Sequence, residues 1–519
     1  MNVHGKTRDT GPMAEYFNAA EMILGRGARL ADKTAFIHEG GFTTYGEFAL
    51  MVNRAGNALA ELGVRRGNHV ALMLKDSPLY CAAFLGLVKA GAVAIPINPR
   101  LSAADYASVL SDAQVKLLIA EREYLPQLER AAGECPRLQI LPAEGAGDCF
   151  KSRLAGASES LAAAATHADD PAFWLFSSGT TGRPKGIVHS HGNCAHAGKL
   201  LREALHAGEN SVILGTSKLF FAYGLDNAFL GPISLGATTI LNSDWPEPEH
   251  VLEQAERYRP DIFFSVPTFY RRLLSLGGGR LAPLREIANF YSAGERLPDS
   301  IAVAWHDAIG RDIHVCFGMS ETFCNAIAFH PGTQRVGATG VLLGNVQVRL
   351  IGSDGAEVAA GEPGVMWVKH PSLALGYNSR EATERAFRDG WFCTNDLFIR
   401  DATDVFSHQG RADELLRVAG QWVKPAEVEE AVLADSRLIE AACVVAPDGD
   451  GFERLALFVV AARRGEGKAL AAARCTQSLP KHSRPKWIHE LSELPKTPTG
   501  KIQRYKLREL LGTGFQNEP

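Results

Sequence analysis

Ser177-Ser178-Gly179-Thr180-Thr181-Gly182-Arg183-Pro184-Lys185-Gly186 packs three glycines, four hydroxyl side chains and one lysine into ten residues. Phe173-Trp174-Leu175-Phe176 leads into it and Ile187-Val188 leads out, which predicts a strand, a flexible loop and a second strand. Glycines let the backbone approach a polyanion closely. Hydroxyl and N–H groups donate to phosphate oxygens, and a lysine adds a point charge. The loop therefore points to nucleotide phosphates. It is not the P-loop, which needs Gly-x-x-x-x-Gly-Lys-Ser/Thr opening a helix. Here Pro184 precedes the lysine, Gly186 follows it, and β-branched residues come next. A glycine-rich hairpin with no ligand is the plainer reading, and it leaves the order Pro-Lys-Gly without a reason. His189 and His191, at the loop's exit, read as packing residues.

On both sides of the loop, short apolar runs alternate with amphipathic ones. Helical spacing predicts a helix from Thr44 to Leu62 and another from Tyr80 to Ala90. Val70–Leu74, Ala92–Pro96, Val115–Ala120, Val212–Leu214, Thr238–Leu241 and Ile262–Phe264 read as strands. This alternation implies parallel sheets covered by helices. The Ala/Ser-rich segment from Ala155 to Asp170 is compatible with a helix or a loose connector. From Val346 onward, short alternating runs such as Val346–Leu350 and Val365–Val368, between turn signals like Ser353-Asp354-Gly355, predict a smaller strand-rich unit. After Gly410 the charge density rises, and a domain boundary is expected near Asp413.

The 519 residues are 46 % hydrophobic and 22 % charged with a net charge of −4, so nothing favours nucleic acid or an anionic membrane. Nine scattered cysteines without a Cys-x-x-Cys pair fit a reduced cytoplasmic compartment better than a disulfide framework or a zinc site. No stretch approaches the roughly 20 apolar residues needed to span a bilayer, and the polar start Met1-Asn2-Val3-His4-Gly5-Lys6 lacks a secretory pattern. A soluble, unexported protein is expected, monomer or homodimer.

The ten-residue run resembles the phosphate loop of the adenylate-forming superfamily, which comprises acyl-CoA and aryl-CoA ligases, peptide-synthetase adenylation domains and luciferases. Further matching segments follow in that family's order. Phe317-Gly318-Met319-Ser320-Glu321-Thr322 stands about 140 residues downstream. The resemblance implies Phe317 on adenine, Ser320 on the α-phosphate and Glu321 on Mg²⁺. Tyr291-Ser292-Ala293-Gly294-Glu295 resembles the segment beside adenine and the acyl group. Trp391-Phe392-Cys393-Thr394-Asn395-Asp396 resembles a segment ending Thr-Gly-Asp, whose carboxylate (here Asp396) would take the ribose hydroxyls. Asn395 replaces the glycine and also tolerates positive φ. Gly410-Arg411-Ala412-Asp413-Glu414-Leu415 resembles the hinge segment, with Arg411 at ribose or phosphate and Asp413 as pivot. Arg417-Val418-Ala419-Gly420 resembles the thiol-tunnel segment. Pro498-Thr499-Gly500-Lys501-Ile502-Gln503-Arg504 resembles the segment that carries the adenylation lysine, which would here be Lys501.

The resemblance thus implies an α/β fold. Its large amino-terminal domain (1–412) would contain parallel-sheet α/β subdomains and a small β-rich subdomain. A small mobile α+β carboxy-terminal domain (413–519) would follow. The implied nucleotide site is Ser177, Ser178, Gly179, Thr180, Thr181, Gly182, Lys185, Gly294, Glu295, Phe317, Gly318, Met319, Ser320, Asp396 and Arg411, with Lys185, Glu321 and Lys501 catalytic. ATP, Mg²⁺ and CoA are the implied cofactors and co-substrates.

Lys218-Leu219-Phe220-Phe221-Ala222-Tyr223-Gly224-Leu225 is similar to the corresponding segment of benzoate-CoA ligases and their anthranilate relatives. Many other acyl ligases have a His where Phe221 stands. The implied acyl pocket comprises Phe221, Ala222, Tyr223, Ala293, Gly318, Cys324 and Asn325. Benzoate ligases tend to have His-Ile where this chain has Cys324-Asn325. A polar Asn in a pocket costs free energy unless something bonds to it, which suggests a ring bearing a hydroxyl or amino group. An enzyme loading aryl groups onto a carrier-protein thiol stays open as the alternative. A non-catalytic nucleotide sensor would have little use for Lys501. An acid kinase would release ADP instead of AMP and pyrophosphate.

Overall fold

The computed structural model describes residues 16–512 except 26, 134, 136, 179–183, 413–415, 419, 420, 424, 436, 449–452 and 497–501. The first expected helix spans Tyr45–Glu61 and starts where the sequence supplies a cap. The Thr44 hydroxyl accepts from the Glu47 N–H, and the Glu47 carboxylate accepts from the Thr44 N–H, so two otherwise orphaned donors are satisfied. The second, Pro78–Lys89, begins with Ser77 as cap and Pro78 in its first turn, where a missing N–H costs nothing. Ten of its twelve residues are buried, because it is packed between a sheet and the first helix. Gly56 and Gly86 allow this contact. A Cβ on Gly86 would lie 2.9 Å from the Gly56 nitrogen.

The strands read from apolar runs all form, within a residue or two. His69–Met73, Val93–Pro96, Leu117–Ala120 and Gln139–Pro142 run parallel in a seven-stranded sheet. Pro171–Ser178 joins Val93–Pro96 in parallel and then turns back through Pro184–Ser190, with Ser177 opposite Lys185. The short strand Gly376–Tyr377 closes that edge, pairing with Ile187 and Val188. The Ala/Ser-rich segment from Ala155 to Asp170 is the loose connector: the helix Phe150–Gly156 ends at its start, and irregular backbone follows up to Asp170.

A second sheet has nine strands. Its centre is parallel: Val212–Gly215, Ile262–Ser265, Asn289–Ser292 and Ile313–Phe317 lie side by side. The carboxyl ends of these strands open into the segments that carry the motifs, as is usual for ligand sites in open α/β sheets. The strand-rich unit is a five-stranded antiparallel sheet. Its longest strand, Trp391–Arg400, pairs with Phe406–Arg411 so that Asp396 stands opposite Arg411.

Beyond residue 424, Leu438–Pro447, Glu453–Ala461 and Trp487–Glu490 form a three-stranded sheet. The helices Pro425–Leu433, Gly467–Ser478 and Arg504–Gly512 pack on it, with their own apolar cores of Val, Leu, Ala and Phe. Arg296 reaches Glu430 at 2.9 Å and Arg271 donates to the Ile439 carbonyl at 2.5 Å, tying this unit to the larger one.

Candidate active site

Six stretches of chain converge on a cleft of 1910 Å³ lined by Ser177, Lys185, Gly294, Glu295, Phe317–Glu321, Tyr377, Asp396 and Arg411. Phe317 is the last residue of its strand, so Gly318–Glu321 project from the sheet's carboxyl edge. The turn is held from behind. His189 Nε2 donates to the Ser320 carbonyl at 2.8 Å, with its ring stacked 4.7 Å from Phe173. Burial holds the His189 pKa down at about 4, so the ring is a neutral donor at physiological pH. It does more than pack, because it fastens the Ser320 turn to the strand that leaves the phosphate loop. Phe323 follows with φ 59°, a costly conformation for a bulky residue. Its burial against Phe173 and His189, with centroids at 5.1 and 5.6 Å, offsets that cost.

Glu321 is half-buried, and its Oε1 accepts from the Tyr377 hydroxyl at 2.8 Å. Desolvation raises its pKa above the ordinary value, and the Tyr377 bond is the largest opposing influence. A partly desolvated carboxylate in that condition attracts a cation. The Lys185 ammonium lies 5.7 Å from the centroid of the same Tyr377 ring. Tyr377 thus stands between the lysine of the loop and the carboxylate of the turn. The backbone N–H of Gly186 donates to Asn378 Oδ1 at 3.1 Å, which fixes the end of the loop to the same edge strand.

On the other wall, Asp396 Oδ1 bonds His408 Nε2 at 3.0 Å, and Arg411 lies 3.6 Å from Oδ2. Arg411 also donates to the Thr394 carbonyl at 3.0 Å. Asn395 takes φ 57°, the conformation that a glycine or an asparagine accepts there. The His408 ring lies 5.9 Å from Phe317, nearly parallel to it.

Neither Tyr377 nor His408 is named by any motif read from the sequence. Both sit on strands paired to motif-bearing strands, and only the sheet register brings them in.

Of the expected acyl residues, Gly318 lines the cleft. Phe221 precedes a short helix, Ala222–Leu225, and Phe220 and Phe221 pack edge to face at 4.4 Å. The Tyr223 hydroxyl lies 3.4 Å from the Tyr291 carbonyl and 3.9 Å from Cys316 Sγ. Ala293 is 4 % exposed. Cys324 is wholly buried in the hydrophobic core, its thiol donating to the His196 carbonyl at 3.2 Å. Asn325 is buried beside Gly318 and Asn227.

Ser178 ends its strand. Gly179, Thr180, Thr181, Gly182, Asp413, Ala419, Gly420 and Lys501 lie outside the described residues. Lys496 and Ile502, which flank the 497–501 segment, line the same cleft as Ser320 and Glu321. Among the described residues no group of three or more His, Cys, Asp or Glu side chains converges as a metal site, and no helix is long and apolar enough to cross a membrane.

An ammonium, a half-buried carboxylate and a separate carboxylate held by His and Arg, gathered in one cleft, are groups suited to a nucleotide. Comparison with known proteins agrees. Residues 25–378 match the AMP-binding enzyme family and residues 427–501 match its C-terminal domain. The chain belongs to the AMP-binding, adenylate-forming enzymes. It is 38 % identical over 510 residues, 95 % of this chain and 97 % of the relative, to a 3-hydroxybenzoate–CoA/4-hydroxybenzoate–CoA ligase of Thauera aromatica. Among solved structures, an anthranilate CoA ligase in complex with anthranoyl-AMP superposes with a TM-score of 0.90 at 32 % identity, covering 96 % of this chain and 98 % of that one. A benzoate CoA ligase from Burkholderia xenovorans LB400 superposes with a TM-score of 0.86 at 32 % identity, covering 95 % and 100 %.

Proposed function

We propose that the protein is an AMP-forming aryl-CoA ligase for a benzoate-type acid. The carboxylate oxygen attacks the α-phosphorus of ATP and the α–β anhydride bond breaks, releasing pyrophosphate. The CoA thiolate then attacks the acyl carbon of the aryl-adenylate, and AMP leaves. The observation that carries the reading is the cleft itself. Lys185, Ser320, Glu321, Asp396 and Arg411 line one surface together with residues flanking Lys501, and full-length relatives bearing this fold are benzoate-type CoA ligases.

In this reading Asp396 accepts from the ribose hydroxyls, oriented by His408 and Arg411. Phe317, with Gly294 and Glu295, flanks adenine, and Met319 and Ser320 meet the α-phosphate. Ser177, Ser178, Thr180, Thr181 and the Gly179 and Gly182 backbones cradle the β- and γ-phosphates with Lys185. The chemistry of Glu321 fits Mg²⁺: it is one half-buried carboxylate, and this ion takes one or two carboxylates and draws its remaining ligands from phosphates and water. The ion, when bound, neutralises phosphate charge. Lys501 supplies its ammonium between the carboxylate and the α-phosphate, where charge grows in the transition state. It must then leave to admit the thiol past Ala419 and Gly420, so the 413–519 unit turns about Asp413.

The test is incubation of the protein with ATP, Mg²⁺, CoA and a panel of aryl and medium-chain acids, with AMP and acyl-CoA as readouts. CoA-dependent AMP formation with an aryl acid is expected. Pyrophosphate exchange without acyl-CoA would instead indicate a carrier-protein thiol as acceptor.

A further inference from the structure

Resting on that reading, we propose that Arg271 and Arg296 are positioning residues: each is shared between a carboxylate of the large unit and one of the carboxy-terminal unit, and together they hold the latter in the orientation that serves adenylate formation. Lys496 and Ile502 flank the 497–501 segment and line the cleft with Ser320 and Glu321. That placement identifies the orientation.

Arg296 lies 2.9 Å from Glu430, on the helix Pro425–Leu433, and 3.9 Å from Asp299, which opens a helix of its own unit. Burial and the nearby Glu430 both raise the Asp299 pKa. Two carboxylates thus face each other across the units with one guanidinium between them. Arg271 repeats the pattern. It donates to the Ile439 carbonyl at 2.5 Å. Burial lowers its pKa, and Glu440 of the small unit and Glu295 of the large one oppose that fall. Take the arginines away and like charges are left facing each other, which drives the units apart.

A β-bulge supplies the second contact. The register between Leu438–Pro447 and Glu453–Ala461 steps from Leu438–Ala461 to Glu440–Val460, so Ile439 is an extra residue on its strand. Such a residue falls outside the ladder, and here its carbonyl takes the Arg271 guanidinium. Ile439 itself is 44 % exposed, so this docking point is polar. Polar contacts between units of one chain release readily.

The residues beside the docking points grip the ends of the 497–501 segment. Glu440 pairs with Lys496, which bridges to Ile502. Glu429 Oε1 accepts from Arg504 at 2.6 Å. Positions 429 and 440 therefore serve the segment while 430 and 439 serve the large unit. A small unit shifted off the two arginines carries both ends of the segment with it.

The experiment measures the two half-reactions separately: single-turnover adenylate formation from ATP and an aryl acid, and transfer to CoA from a supplied aryl-adenylate. Arg296→Ala should slow adenylate formation by about 3- to 10-fold, and Arg271→Ala with Arg296→Ala by about 10- to 100-fold, with transfer kept within about twofold. Adding Glu430→Ala to Arg296→Ala should cost nothing further, since it removes the repulsion as well. The exchange Arg296→Glu with Glu430→Arg should recover most of the rate that Arg296→Glu alone loses. Equal losses in both half-reactions, additive effects at 296 and 430, or a higher KM for ATP that the exchange does not rescue would overturn the proposal. Small-angle scattering reads the orientation without any substrate. Arg271→Glu with Arg296→Glu should shift the profile away from that of the wild type, and an unchanged profile would count against the clasp. A shifted profile in a chain whose wild type makes no adenylate from any aryl acid would uphold the clasp and overturn the ligase reading.

Discussion

Tyr377→Phe removes one oxygen from the centre of the site and leaves the ring under Lys185 in place. The bond lost is a 2.8 Å donation to the half-buried Glu321 carboxylate. Burial already raises the Glu321 pKa, and the Tyr377 hydroxyl is the largest influence holding it down. Hydrogen bonds to charged groups are worth about 1.5–3 kcal/mol, and one pKa unit corresponds to about 1.4 kcal/mol. The substitution should therefore raise the Glu321 pKa further and cost about 10- to 100-fold in activity where the group titrates. The ionised form is the one that serves a cation, so activity should be lost at higher pH than in the wild type. ATP–pyrophosphate exchange with an aryl acid, followed from about pH 5.5 to about pH 9 at several Mg²⁺ concentrations, reads this directly. The acid limb of kcat/KM for ATP should move to higher pH, and half-saturation by Mg²⁺ should rise most at low pH. A uniform loss at every pH would refute the reasoning and assign Tyr377 a packing role only.

His408→Ala should raise the KM for ATP by about 3- to 10-fold with a smaller effect on kcat, because one neutral hydrogen bond orienting Asp396 is lost; an unchanged KM would sink that assignment. Lys501→Ala should slow adenylate formation by about 10²- to 10³-fold, while transfer from a supplied aryl-adenylate to CoA persists; equal losses in both half-reactions would contradict the division of labour. Asp226→Asn concerns stability. Burial pushes the Asp226 pKa up to about 7 while its Oδ1 accepts from the Gly198 N–H at 2.6 Å. The folded chain therefore holds that proton more tightly than the unfolded chain does. The stability this contributes is complete below the unfolded pKa and is lost as pH rises through about 7, by at most about 4 kcal/mol. In Asp226→Asn the fall in Tm between about pH 5 and about pH 8 should flatten; a slope equal to that of the wild type would argue against it.

The strands and the two amino-terminal helices were legible because apolar runs and helical spacing are local properties, written at the residues that use them. Thr44 and Glu47 even mark where a helix starts. The nucleotide motifs were legible for the same reason, since Ser320, Glu321, Asp396 and Arg411 each sit in short runs with a chemistry of their own. Tyr377 and His408 were not legible. Nothing in Gly376-Tyr377 or Ser407-His408-Gln409 marks them, and their partners lie 56 and 12 residues away. They reach the site only through strand pairing, which depends on the whole sheet. Asn227 was hidden by the same distance: its partner Asn325 is 98 residues on. The segment from Ala155 to Asp170 stayed ambiguous because Ala favours a helix while repeated Ser competes for backbone hydrogen bonds.

Asp396 and Arg411 face each other across neighbouring strands, and the second of these ends two residues before Asp413. The groups proposed to hold a ribose therefore also stand directly before the proposed pivot. A sugar seated there would brace the very footing from which the carboxy-terminal unit swings. Its departure as AMP would slacken that footing at the moment a new cycle needs the swing reversed.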